Sequence, residues 1–149
     1  MKKLLLLVFG LTLTVFFAEP LHAADKVYHL SIKDAMETKD AKEKLSGEVK
    51  FYFGKQSHPA IRSNLGEYVS NKKANSFGKN NETACQRSFL SAMISLEDRA
   101  KKLGADAVVG IESYYKKVPF SSTTQFECHA GTLMAGVALR GKFVKTGRK

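Results

Sequence analysis

The chain has no internal repeat and no low-complexity linker, so nothing in its 149 residues divides it into several folded units. It also lacks a Gly-x-Ser-x-Gly elbow and a His-Glu-x-x-His helix, and no pair of carboxylates stands in an apolar context, which removes the common hydrolase frameworks. Cysteine occurs only twice, and His29 and His58 have no partners at the spacings that zinc sites use. Beyond Pro20 no apolar run approaches the roughly 20 residues that span a bilayer as a helix. Acidic side chains are scarce too, 14 against 24 Lys and Arg, for a formal charge of +10.

What is present begins with three zones in the order of a cleavable export signal. Lys2 and Lys3 supply a positive start, Leu4 to Ala18 form a 15-residue apolar stretch, and Glu19 and Pro20 end it before the small residues Ala23 and Ala24. The pattern predicts a signal peptide over residues 1–23 and one mature domain over 24–149, periplasmic or secreted from a bacterial cell. No cysteine near the cut offers a thiol to a lipid, and no membrane span is expected in the mature chain. Loss of Lys2, Lys3 and Glu19 leaves 22 basic and 13 acidic residues, a formal charge of +9. Such an excess favours anionic partners, and an exported location makes nucleic acid the least suitable of them.

Periodicity predicts an α+β fold. Tyr28, Leu30 and Ile32 alternate with polar residues as a half-buried strand does. Asp34 to Leu45 reads as a short polar helix, and Val49, Phe51 and Phe53 mark a second strand that Gly54 ends. Residues 54–81 have turn character and are expected to divide two halves of the domain, with Glu67 to Lys73 as an edge strand inside them. A long helix over about 82–103 carries Phe89, Met93, Leu96, Ala100 and Leu103 on one face. Thr83 with Gln86 offers a capping box, and Asn80 or Asn81 could cap instead. Gly104 follows Lys101 and Lys102 as a left-handed stop.

Three strands are expected after that stop. Ala107, Val109, Ile111, Ser113 and Tyr115 share one face of the first, opposite Glu112, Tyr114 and Lys116. After a turn at Pro119 to Ser122, Thr124, Phe126, Cys128 and Ala130 share a face of the second, opposite Gln125, Glu127 and His129. Leu133, Ala135, Val137, Leu139 and Phe143 share a face of the third, opposite Arg140 and Lys142. The result is a mostly antiparallel sheet covered by one long helix.

Cys85 lies four residues before Phe89 on the apolar seam of the helix, and Cys128 lies on the apolar face of the sheet. Two thiols aimed into one interface of an exported protein predict a structural disulfide. A redox-active pair is the alternative, since a helix N-terminus lowers a thiol's pKa, but reactive pairs usually sit exposed and close in sequence. A metal site from Cys85, Cys128 and His129 conflicts with strand geometry, because adjacent residues point to opposite faces. No metal and no cofactor are therefore expected.

Gly136, Gly141 and Lys142 match the first part of a phosphate-binding loop, with four residues between the glycines. Phe143 stands where a hydroxyl should hold magnesium, and too little chain follows Lys142 for the helix that receives the phosphates. The glycines are instead expected to permit a bulge or a close backbone approach. Glu112 and Glu127 share one side of neighbouring strands and could approach each other, but exposed charges on the outer face are the simpler account.

Lys50-Phe-Tyr-Phe-Gly-Lys55, Asn75-Ser-Phe-Gly-Lys79, Ala84-Cys85, the run from Ala100 to Val109, and Phe126-Glu-Cys-His-Ala-Gly131 together resemble a family of small exported bacterial proteins that often carry the label excinuclease ATPase subunit. That label implies DNA repair and ATP hydrolysis, for which these residues offer no nucleotide site. Over about Gly66 to Val144, the order of helix, Leu-Gly-Ala-Asp-Ala-Val-Val, hairpin and a cysteine in the returning strand resembles the YbjQ-like fold. It is also similar to the outer-membrane lipoprotein sensor of the Rcs stress system, which implies an exported, disulfide-bonded α+β domain.

The functional expectation is a non-catalytic binding module of the cell envelope, with a small hydrolase or redox protein as the alternative. Its partner would be an envelope protein or an anionic envelope component, and no nucleotide is expected. Lys55, Arg62, Lys72, Lys73 and Lys79, interleaved with Tyr68 and Phe77, are the candidate contacts.

Overall fold

A computed structural model describes residues 25–147. The signal-peptide expectation falls on residues outside the described ones. Strand β1 (Lys26–Ser31) leads directly into helix α1 (Ile32–Glu37), followed by α2 (Lys39–Lys44) and strand β2 (Lys50–Phe53). A long strand β3 (Ile61–Asn75) precedes helix α3 (Asn81–Leu103). Strands β4 (Ala107–Ser113), β5 (Gln125–Ala130) and β6 (Met134–Thr146) complete one six-stranded sheet. The fold is α+β with a mostly antiparallel sheet; only β2 and β4 run parallel.

β6 is the spine. One of its edges pairs with β3 along its whole length. The other meets β5 at Ala135 and Gly136, then β4 from Leu139 to Val144. The sheet therefore divides into two wings, β5 with β1 and β4 with β2. Ser113, buried where the wings part, accepts a hydrogen bond from the Glu127 amide at 2.8 Å and so ties β4 to β5.

α3 covers one face and spans the division. The ring of Phe89 lies 4.2 Å from that of Phe126 on β5 and 6.2 Å from that of Phe53 on β2, centroid to centroid. Phe89, Met93, Leu96 and Ala100 are buried as the helical spacing predicts. Asn80 caps the helix by accepting from the Glu82 amide, so the Thr83–Gln86 box is not used. Gly104 ends it at φ +69°. Cys85 and Cys128 form the expected disulfide, with Cα atoms 5.8 Å apart, and both are fully buried.

Three expectations need correction. The polar helix over 34–45 is two helices, because the Thr38 hydroxyl donates to Ala35 O at the end of α1 and accepts from the Ala41 amide at the start of α2. Residues 61–75 are not a divider: the edge strand expected over 67–73 is the central part of the 15-residue β3. On β4, Gly110 adopts φ +61° and the register with β6 slips by one between Val109 and Glu112. This bulge turns Val108 and Ile111 toward α3, while Ala107 and Val109 pack with Val144 on the opposite face. Gly141 lies beneath it. A Cβ there would stand 2.6 Å from Val108 Cγ1, so the missing side chain permits the close approach.

Candidate functional site

The face of the sheet turned away from α3 carries two polar clusters. On β5, Glu127 lies between two imidazoles, its carboxylate 2.7 Å from His129 Nε2 and 3.6 Å from His29 Nε2. The short turn Tyr115–Lys117 folds back so that Tyr115 stacks on His129, in the space left by the side chain Gly136 lacks. The Tyr115 hydroxyl donates to Asp25 at 3.4 Å. Burial, then the Asp25 charge and this hydrogen bond, raise the Tyr115 pKa above its ordinary value. With one ring nitrogen of His129 held by Glu127 and its face covered by Tyr115, the cluster acts as a clamp on the turn.

The second cluster centres on Arg140 of β6, whose guanidinium binds Glu112, approaches Glu67 at 3.8 Å and lies 3.9 Å over the Tyr114 ring. The hydrogen bond to Glu112 is the largest cause of a raised Arg140 pKa. Glu112 and Glu127 are thus not the exposed charges expected of them, since their side chains are only 18 % and 16 % exposed and each has its own cationic or imidazole partner. Beside Arg140, Lys55, His58 and Lys142 line an open groove of roughly 450 Å³.

A third feature is apolar and lies at one end of the sheet. Phe77, Leu133 and Met134 are 67 %, 61 % and 46 % exposed. Phe77 and Leu133 sit on adjoining loops and Met134 opens β6, because β3 ends with Asn75 opposite Met134, and Ser76 then donates its amide to Leu133 O and its hydroxyl to Gly131 O. Gly78, at φ +66°, closes the turn in which the Lys79 amide donates to Ser76 O. Leu133, expected on the buried face of β6, is therefore part of this exposed tip.

The five predicted basic residues separate. Lys72 and Lys73 lie on the part of β3 next to the tip, on opposite faces of the strand, and Lys79 lies in the turn itself. Lys55 borders the groove near Arg140, and Arg62 lies toward the opposite end of β3, against Gly147. Lys26, opposite Ala130 on β1, joins the tip end and was not singled out by sequence reading. The alternation that marked the first strand began at Tyr28, and nothing local tied that strand to residues 77 and 133.

His129 points away from the disulfide, and both cysteines are consumed by it. Among the described residues no group of three or more His, Cys, Asp or Glu side chains is placed to hold a metal ion. Gly136, Gly141 and Lys142 lie inside one continuous strand. No helix among the described residues is long and apolar enough to cross a membrane.

No family model matches the chain, and no curated protein is significantly similar to it.

Proposed function

We propose that this protein is a non-catalytic binding module of the bacterial envelope that docks reversibly on an anionic lipid surface through the tip formed by Phe77, Leu133 and Met134. The observation that carries the reading is the concentration of large exposed apolar side chains on two loops pinned together by Ser76 and on the first residue of β6, beside Lys26, Lys72, Lys73 and Lys79. Apolar side chains at the headgroup boundary gain free energy from burial, and each lysine near an anionic surface adds about 1 kcal/mol. Sums of this size support reversible, salt-sensitive attachment and not permanent anchoring. The export signal read in residues 1–23 and the buried disulfide support an oxidising location. The long helix stopped by Gly104 and the cysteine on the returning strand also suit the resemblance to the YbjQ-like fold.

Co-sedimentation with vesicles tests the proposal. Phosphatidylglycerol-containing vesicles should bind the protein at low salt and release it as salt rises, whereas phosphatidylcholine vesicles should bind little. Phe77→Ser and the triple charge reversal of Lys72, Lys73 and Lys79 to Glu should each weaken binding. Indifference to lipid charge and to both variants would overturn the reading, and recovery of one envelope protein by the same tip would replace lipid with a protein partner.

A further inference from the structure

From Glu67 to Asn75, β3 pairs residue for residue with β6 on one side, and among the described residues no strand lies on its other side. The unpaired amides and carbonyls of such an edge are a template for another strand. We infer that a second copy of this chain occupies it, the two β3 strands running antiparallel about a two-fold axis through Ser70.

Charge complementarity selects the register. A two-fold axis perpendicular to the sheet sets residues of the same face opposite each other. With Ser70 facing Ser70 of the second copy, Glu67 faces Lys73, Tyr68 faces Lys72, and Val69 faces Asn71. Both ends of the contact then join opposite charges, while the Lys72 stem lies across from Tyr68, whose ring already carries the Arg99 guanidinium at 4.1 Å. Moving the axis to Val69 or Asn71 puts Glu67 opposite Asn71 or Asn75, and no opposite charges meet.

An independent observation marks the same residue. Ser70 Oγ is the one buried side-chain polar atom among the described residues that has no hydrogen-bond partner. The two-fold brings two such hydroxyls face to face at a cross-strand Cβ separation of about 5 Å, where one donates to the other. Along the helix side of this edge a groove of roughly 300 Å³ runs between Tyr68 and Ser70 on β3 and Ser95, Asp98, Arg99 and Lys102 on α3. Val69, which is 50 % exposed, is covered by pairing. The bulge at Gly66, φ +111°, limits the regular contact to Glu67–Lys73 of each copy. The two tips then point to opposite ends of the assembly.

Sedimentation equilibrium of the purified protein should show mass rising from one chain to two with concentration. Lys73→Glu alone and Glu67→Lys alone should each weaken association by about tenfold, since each sets like charges opposite one another. The double exchange should restore it. Circular-dichroism melts of each variant distinguish loss of pairing from loss of fold. Ser70→Cys should cross-link two copies on mild oxidation, whereas Lys72→Cys should not, because four residues of offset separate its two copies by about 13 Å. A single-chain mass at every concentration would overturn the proposal and leave Lys72 and Lys73 as guards of a solvated edge. So would a dimer indifferent to the charge exchange in which Ser70→Cys fails to cross-link.

Discussion

Tyr115 and His129 lie face to face, their ring centroids 3.7 Å apart and their planes inclined by 12°. The contact joins residues 14 positions apart across the division between the β4 and β5 wings, and Gly136 makes room for it. Because burial and Asp25 raise the Tyr115 pKa, this phenol should ionise at a higher pH than free tyrosine in an ultraviolet titration. The folded-state value lies above the unfolded one. Its stabilising contribution is therefore complete below about pH 10 and is lost as pH rises through the raised value. Tyr115→Phe keeps the stacked ring and removes the titration, so the alkaline decline in stability should become shallower.

Thiol labelling of the denatured, unreduced protein should find no free cysteine. Joining residues 43 positions apart should stabilise the fold by about 4 kcal/mol in the chain-entropy model. Cys85→Ser should therefore lower the melting temperature under oxidising conditions and leave Cys128 open to labelling. Equal stability of parent and variant would contradict a structural role.

Gly141→Ala should cost about 1–3 kcal/mol by overpacking, because its Cβ would meet Val108 and Ile111 at 2.6 and 3.2 Å. Lys142→Ala, on the exposed face, should stay within about 0.5 kcal/mol of the parent. Chemical denaturation of both variants measures the contrast. A nucleotide affinity lost in Lys142→Ala would return this segment to phosphate binding.

Glu97 on α3 is 2 % exposed and accepts hydrogen bonds from the Ser46 amide and hydroxyl, fastening the segment between α2 and β2 to the helix. Glu97→Ala should cost about 0.5–1.5 kcal/mol, the net worth of such bonds where water can reach the exposed Ser46 donors. Glu97→Gln, which retains a carbonyl oxygen, should cost less. Denaturant melts rank the two, and the reverse order would remove Ser46 from the explanation.

Much of this architecture was legible because single residues carried two signals at once. Cys85 belonged both to the seam of α3 and to a pair, and Gly104 both followed a basic last turn and ended an apolar period. Phe126, Cys128 and Ala130 alternate cleanly because one face of β5 is buried and the other polar. β3 was recognised only over Glu67 to Lys73, for the opposite reason. It is an edge strand with mostly polar side chains on both faces, so neither period 2 nor period 3.6 stands out. The bulge at Gly110 shifted the phase of β4 midway, which no unbroken alternation can represent. The tip was the least accessible of all: Phe77 and Leu133 are 56 residues apart, and only the pairing of Asn75 with Met134 brings their loops together.

The spine position of β6 also bears on the order in which the chain can fold as it is made. Every other described strand precedes β6, yet β3, β4 and β5 all hydrogen-bond to it directly, and β1 and β2 join the sheet through β5 and β4. Until Met134–Thr146 emerges, the earlier strands have no common partner, and their ladders are long-range closures awaiting their last component. The two wings, β1 with β5 and β2 with β4, thus stay unjoined until the last strand is made. Oxidation of Cys85 with Cys128 precedes the spine in chain order, so the covalent bond can gather the helix and β5 before the final strand locks both wings.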